Sequence, residues 1–270
     1  MRLFNSHTHT EHSADCTVPA SDMCQSAVAA GLSGIAFCDH CHGRDYITYN
    51  TYDVLKYSHH DAHQLAKEYE GRLEVFAGAE FDEMLWSPEY INRLIDTFDF
   101  DVILASVHRV RNVPDTNYIS RVNFASFKPD TLHHFISRYF EDILETAEKC
   151  DFDVLSHLTL ILRYVSGKHK IKVDLSEFND IIDEILKVII KRGKALELNT
   201  SEVGNIGLMP DINILRRYRA FGGDLVTIGT DAHLPKNIAH GFSDAVDALR
   251  ECGFSHYVYY KNRQVKYEPI

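Results

Sequence analysis

The sequence predicts an α/β fold of the TIM type, a distorted (β/α)7 barrel with its active site at the C-terminal rim of the strands. Three observations carry this. Apolar runs alternate regularly with helix-sized segments, which implies parallel strands joined by right-handed crossovers. Nearly every apolar run empties into a histidine, aspartate or glutamate, and barrel active sites gather at the C-terminal ends of the strands. The first and last runs carry the same device, two ligand-type side chains separated by one residue, and closing a barrel brings its first and last strands together. Seven candidate strands, one short of the usual eight, predict the distortion.

In chain order, the run Leu3-Phe4-Asn5-Ser6-His7-Thr8-His9-Thr10 puts His7 and His9 on one face of a strand, because strand residues i and i+2 point the same way. A polar loop with Glu11, His12 and Asp15 follows. Pro19 ahead of an alanine-rich run that stops at Gly31 predicts a first helix over 19–30. The short run 35–38 ends in Asp39-His40, 73–79 in Glu80, 102–107 in His108, 153–156 in His157 and 195–198 in Asn199. The last run, 225–229, leads through Thr230 to Asp231 and His233. Helical patterning is clearest over 131–149 and 176–191. The tail from Tyr257 to Tyr267 alternates around Lys261-Asn262-Arg263, the pattern of a small hairpin. With no linker, repeat or low-complexity stretch, the chain reads as one domain over 1–270.

Composition narrows the function. A chain of 270 residues with 45% hydrophobic content can bury a large α/β core. The net charge of −11, without a block of like charges, disfavours broad nucleic-acid binding but not a local basic pocket. Six scattered cysteines form no disulfide framework, and no apolar run approaches the ~18 residues of a membrane span. Only six residues precede His7, too few for a cleavable signal, so a cytoplasmic protein with no membrane partner is expected.

The candidate metal ligands are His7, His9, Asp15, His40, Glu80, His108, His157, Asp231 and His233. Imidazole with carboxylate suits zinc, manganese or iron, and nine such groups exceed what one ion needs, so two or three divalent ions are expected. Other histidines carry less. His59 and His63 have the i,i+4 spacing that can bind zinc, but the glutamate of a zinc-peptidase motif is missing and a solvated helix face is the reading. His133, His134, His169 and His256 read as structural or surface residues. Cys38 and Cys41 straddle Asp39-His40 and do not open a helix, which argues against a redox pair. His12 and His42, in rim loops, are candidates to touch substrate. Arg163, beyond the fifth strand, is a candidate to grip a phosphate bidentately, with Arg109, Arg111 and Lys236 at similar addresses. Gly78 and Gly229 stand alone in strands and belong to no phosphate-binding glycine loop.

These motifs resemble the polymerase-and-histidinol-phosphatase (PHP) superfamily, and within it the histidinol-phosphate phosphatases. The resemblance runs from His7-Thr8-His9-Thr10 with Ser13 and Asp15, through Asp39-His40, Gly78-Ala79-Glu80-Phe81-Asp82, Ser106-Val107-His108 and Ser156-His157, to Gly229-Thr230-Asp231-Ala232-His233. Subfamily signals are Ser87-Pro88-Glu89-Tyr90-Ile91, Arg138-Tyr139-Phe140 and Arg163-Tyr164. One departure is Thr159, where the family often has aspartate. The resemblance implies three ions: one held by His7, His9, Glu80 and Asp231, a second by Glu80 with His108 and His157, a third by Asp15, His40 and His233. It implies hydrolysis of L-histidinol phosphate, a small phosphorylated metabolite, by attack of a metal-bridging hydroxide. Arg163 would hold the phosphoryl oxygens, and His233, His42 or a bound water would protonate the leaving alkoxide. Glu11, Asp82 and Glu83 are rim carboxylates that could meet the substrate's amine. Phosphoesterases acting on nucleotides, oligonucleotides or phosphotyrosine share the scaffold and remain alternatives. Oligomeric state stays open.

Overall fold

The apolar runs become strands that are buried along their whole length, as parallel strands covered on both faces must be. The computed structural model describes residues 1–113 and 115–270. In chain order the strands are β1 (Phe4–Thr8), β2 (Gly34–Phe37), β3 (His40–His42), β4 (Glu74–Asp82), β5 (Val102–Ser106), β6 (Val154–Leu155), β7 (Ala195–Asn199) and β8 (Val226–Gly229). The main path of the sheet is β1-β2-β4-β5-β6-β7-β8, with every pair parallel. β1 and β8 meet at one bridge, Thr8 to Ala232, where His9 N donates to Ala232 O (3.0 Å) and Asp231 N to His7 O (2.9 Å). The expected seven-stranded barrel is therefore present, closed along a single thin seam that both ligand pairs flank.

β4 continues past the expected end at Glu80 to Asp82, because β3 supplies it with a partner in the register His40–Glu80, Cys41–Phe81 and His42–Asp82. That register aligns two imidazoles with two carboxylates. β2 and β4 approach closely at Gly78, where a Cβ would lie 2.8 Å from Cys38 Sγ and 3.0 Å from the Phe37 carbonyl.

Helices α1 (Ala20–Ala29), α2 (Thr51–Glu68), α3 (Pro88–Thr97), α4 (Pro129–Lys149), α5 (Asn179–Lys191), α6 (Ile212–Ala220) and α7 (Phe242–Glu251) pack an apolar face on the strands. Pro88 and Pro129 open α3 and α4, where a missing N–H costs nothing, and Asp211 caps α6 by accepting from Asn213 N and Ile214 N. The expected 176–191 helix is split: Leu175–Phe178 forms a tighter 3-10 turn before α5. His59 corrects the solvated reading of α2: it is buried, edge-on to Phe100 with ring centroids 4.7 Å apart, because α2 turns this face toward the segment leading into β5. His63 is exposed as expected.

The tail forms the hairpin β9 (His256–Lys261) and β10 (Gln264–Pro269) around Asn262 and Arg263, both with positive φ (52° and 56°), as a two-residue type I′ turn requires. It lies under the N-terminal ends of the strands. Tyr259 stacks on Phe4 with centroids 3.8 Å apart, and Tyr257 Oη donates to Arg2 O while accepting from Phe4 N. No helix among the described residues is long and apolar enough to cross a membrane.

Candidate metal centre

Glu80, fully buried on β4, is the hub of the C-terminal rim. His7 and His9 leave β1 on the same face and bring their Nε2 atoms to 3.6 and 3.7 Å from Glu80 Oε2. Across the seam Asp231 Oδ1 lies 3.1 Å from His9 Nε2 and 3.8 Å from His7 Nε2. The other Glu80 oxygen, Oε1, is 2.8 Å from His157 Nε2 and 3.4 Å from His108 Nε2, which are themselves 3.5 Å apart. On the outer side, Asp15 reaches His40 Nε2 at 3.6 Å and His233 Nε2 at 3.4 Å. All nine residues singled out from the sequence thus converge, in three groups that share Glu80 or abut it.

A second layer fixes how these rings face. His7 Nδ1 lies 2.7 Å from Glu197 Oε1, and Glu197 Oε2 accepts from His157 N at 2.6 Å. His9 Nδ1 is 3.1 Å from Ser13 Oγ, His233 Nδ1 is 2.9 Å from the Asp231 carbonyl, and His108 Nδ1 is 3.0 Å from Asp82 Oδ1. With Nδ1 so engaged, Nε2 is the nitrogen each ring turns inward, the arrangement that orients metal-binding histidines. Asp39 braces the loop beneath by accepting from Thr10 N, Thr10 Oγ1, Ser13 Oγ and Ser58 Oγ at 2.6–2.8 Å. Gly229 is required here: a Cβ would lie 2.1 Å from Glu197 Oε1 and 2.7 Å from His7 Cβ. Asp231 holds φ at 52°, a left-handed conformation that a non-glycine residue adopts only under constraint.

The electrostatics follow from packing acids and imidazoles out of water. Burial pushes Glu80 upward, yet His108, His40 and His7 hold it well below the usual carboxylate range. Burial likewise disfavours charge on His7, but Glu197 and Glu80 raise it well above its ordinary value, as Asp82 and Glu80 do for His40 and His108. His9 moves the other way, to about 4, because burial is reinforced by His233 and His40. The cluster requires positive charge at its centre, which imidazole protons or divalent cations supply. Its geometry favours cations. His40 Nδ1, Glu80 Oε2 and His233 Nε2 are buried and meet their neighbours as close charged contacts without an aligned hydrogen bond, which leaves their lone pairs to a cation. The donor set fits divalent metal ions.

A cavity of about 350 Å³ opens over the cluster, lined by Asp15, His40, His42, His108, Asp231 and His233 on one side and by Tyr49, Tyr118, Arg121, Arg163 and Tyr164 among others. Arg163 begins a π-helical turn (Arg163–Lys168) and is committed to Asp231 Oδ2 (2.8 Å), Glu202 Oε1 (3.1 Å) and Ser201. His42 Nδ1 is 2.8 Å from Asp82 Oδ2 and 3.3 Å from Tyr118 Oη.

Other expectations are corrected. Lys236 is exposed on the 3-10 turn Pro235–Asn237, which carries it away from the cavity to a recess beside Ala29 and Ala30. His12 pairs with Asp61 at 2.7 Å and lines a neighbouring recess next to His42. Arg111 is clamped onto α4 by Asp142 (2.9 Å) and Glu145. Asp82 and Glu83 are not rim carboxylates. Asp82 is fully buried under the histidines, and Glu83 faces Arg109, its carboxyl pushed up to about 7 by burial and by Asp82. Thr159 is buried and does not line the cavity. Sequence reading missed Glu197, whose signal was an acid in the middle of an apolar strand, and the outer wall of Tyr49, Tyr118 and Arg121, which had none.

Comparison with known proteins agrees with this architecture. The PHP domain model matches residues 5–201, a stretch that ends before Asp231 and His233. A probable histidinol-phosphatase of Clostridium acetobutylicum is 27% identical, with 98% of this chain and 99% of the relative covered. The histidinol-phosphatase of Lactococcus lactis is 24% identical over 94% of this chain and 93% of its own. The crystal structure of the Lactococcus lactis histidinol phosphate phosphatase, complexed with zinc, L-histidinol and phosphate, superposes with a TM-score of 0.81 at 22% identity, covering 98% of this chain and 99% of that one.

Proposed function

The chain belongs to the PHP-domain family, and from that premise we propose that it is a metal-dependent phosphomonoesterase that hydrolyses L-histidinol phosphate to L-histidinol and phosphate, a step of histidine biosynthesis. The observation that carries the reading is the convergence of His7, His9, His108, His157 and Asp231 on the two oxygens of Glu80, beneath an arginine-lined cavity. The names of full-length relatives supply the substrate.

His7, His9, Glu80 and Asp231 would hold one ion, Glu80 with His108 and His157 a second, and Asp15, His40 and His233 a third, with zinc, manganese or iron as the candidates. Bound there, such ions supply Lewis acidity toward phosphoryl oxygens and acidify water at neutral pH. The protein's own groups do the rest. Arg163 pins Asp231 through Nη2, meets Glu202 through Nε and lines the cavity, where its guanidinium would meet a phosphoryl oxygen. His42, its Nδ1 turned to Asp82, is the proton donor for the leaving alkoxide, whereas His233 is spent on Asp15. In this reading the chain acts as one domain over 1–270, in the cytoplasm, on a small phosphorylated metabolite.

The test is phosphate release at neutral pH with manganese or zinc, comparing histidinol phosphate with a nucleoside monophosphate, a bisphosphate, phosphotyrosine and p-nitrophenyl phosphate. A tenfold or greater kcat/KM for histidinol phosphate is expected, and a preference for another natural substrate would remove the assignment. In His42→Ala the alkyl phosphate should lose far more activity than the nitrophenyl ester, whose leaving group needs no proton; equal losses would clear His42 of the role.

A further inference from the structure

Outside the metal-ligand set, the cavity wall carries cations and hydroxyls and no carboxylate: Arg121, Arg163, Tyr49, Tyr118, Ser120 and Tyr164. In a chain with 39 acidic residues against 28 basic ones, that local reversal of sign calls for an anion. The arginines of this region differ in what they have left to offer. Arg163 is bound to Asp231 and Glu202, and Arg109 to Asp45 (2.7 Å) and Glu83 (3.3 Å). Arg121 is exposed, has no ion-pair partner among the described residues, and lies with its guanidinium carbon 5.2 Å from the centre of the Tyr118 ring. Its short turn, Ile119–Arg121, is braced: Lys168 donates from Nζ to the Ser120 carbonyl at 2.9 Å, tying it to the π-helical turn that begins at Arg163. Lys168 has no carboxylate partner among the described residues either. Arg121 thus lines the cavity uncompensated, on a turn that a second cation without a carboxylate partner, Lys168, holds in place.

We infer that Arg121 is a second anion-binding arm, so that the cavity takes small phosphomonoesters whose alcohol portion carries a carboxylate. A guanidinium resting on a ring and free of protein acids suits bidentate recognition of such a group. The inference rests on the phosphomonoesterase reading and extends its substrate class; an ammonium-bearing alcohol such as histidinol draws nothing from Arg121.

The experiment compares 3-phosphoglycerate with glycerol 3-phosphate, which differ by a carboxylate against a hydroxymethyl group, with histidinol phosphate as reference, on the metal-loaded full chain. The wild type should favour 3-phosphoglycerate over glycerol 3-phosphate about tenfold in kcat/KM, the scale of one charge-assisted contact. Arg121→Gln should bring that ratio toward one, and Arg121→Lys should restore part of it. A wild-type ratio near one, or an Arg121→Gln variant that slows both esters by the same factor, overturns the second arm while leaving the phosphatase reading intact. No phosphate from any ester, histidinol phosphate included, overturns both.

Discussion

The two ends of the barrel use the same residue types to opposite ends. At the N-terminal base, Asp101, Asp151, Asp153 and Glu268 are each paired. Asp101 accepts from Ala77 N and Asn262 N, Asp153 from Ile103 N and Arg263, Asp151 from Arg263, and Glu268 from Arg2 N and Nε, all at 2.7–3.1 Å. At the opposite end, Glu80, Asp15 and Asp231 at the rim and Asp82 beneath it face mainly imidazoles, and buried atoms of Glu80, Asp82, His40 and His233 lack an aligned hydrogen-bond partner. No atom of the four base carboxylates is among the buried unpaired atoms of the described residues. A satisfied carboxylate holds structure together; an unsatisfied one, buried and ringed by oriented imidazoles, is kept for something that binds. The same distinction sorts the arginines, with Arg263 spent on the base and Arg121 free at the cavity.

Variants should break this symmetry of composition in opposite directions. The largest effect is expected from Glu80→Gln and Asp231→Ala, which should lower phosphate release by on the order of a thousandfold and reduce bound metal together. Full activity in either variant would show that the rim cluster is not the reaction centre. Glu197→Gln, which removes the carboxylate that faces His7 Nδ1 and accepts from His157 N, should weaken metal binding ~10–100-fold; an unchanged affinity would make Glu197 a packing residue. At the base, Arg263→Ala leaves Asp153 buried beside an absent partner and should lower unfolding free energy by roughly 3 kcal/mol with kcat/KM per folded molecule retained. A drop in kcat/KM at full folding would mean the two ends are coupled.

The smallest effect concerns pH. Burial, reinforced by His63, depresses His59 from 6.5 to about 4. Between those values the unfolded chain binds the extra proton, so this group's contribution falls as pH drops from about 6.5 toward 4, by roughly 2 kcal/mol at pH 5. His59→Leu should therefore gain on the wild type as the pH is lowered in chemical denaturation. A difference that stays constant between pH 7 and pH 5 would show that His59 keeps its ordinary affinity for protons.

What the sequence revealed of this contrast depended on local periodicity. His7 with His9 and Asp231 with His233 were legible because strand geometry sends i and i+2 to one face, and the regular β-then-α alternation was enough for the barrel. Glu197 escaped because its meaning depends on Gly229 and His7, which reach it only across neighbouring strands. Lys236 is close to His233 in sequence but not in the site, because the Pro235–Asn237 turn sets it in the recess beside Ala29 and Ala30. The burial of His59 is not legible, because a polar side chain on a polar-looking helix gives no sign that Phe98 and Phe100 cover it. The hairpin was visible as a hairpin, but its clamp on Asp151 and Asp153 depends on pairing over more than a hundred residues.

If the Glu80-centred rim is a metal centre that drives phosphate-ester hydrolysis, turnover must follow metal occupancy. The most direct test is to strip the protein with a chelator, return zinc or manganese stepwise, and follow bound metal per chain and phosphate release from histidinol phosphate in the same samples. Negligible release from the stripped protein is expected, with recovery that rises with occupancy to two or three ions per chain. Full turnover by metal-free protein, or metal uptake of that size with no recovery of turnover, would contradict a metal-driven hydrolysis.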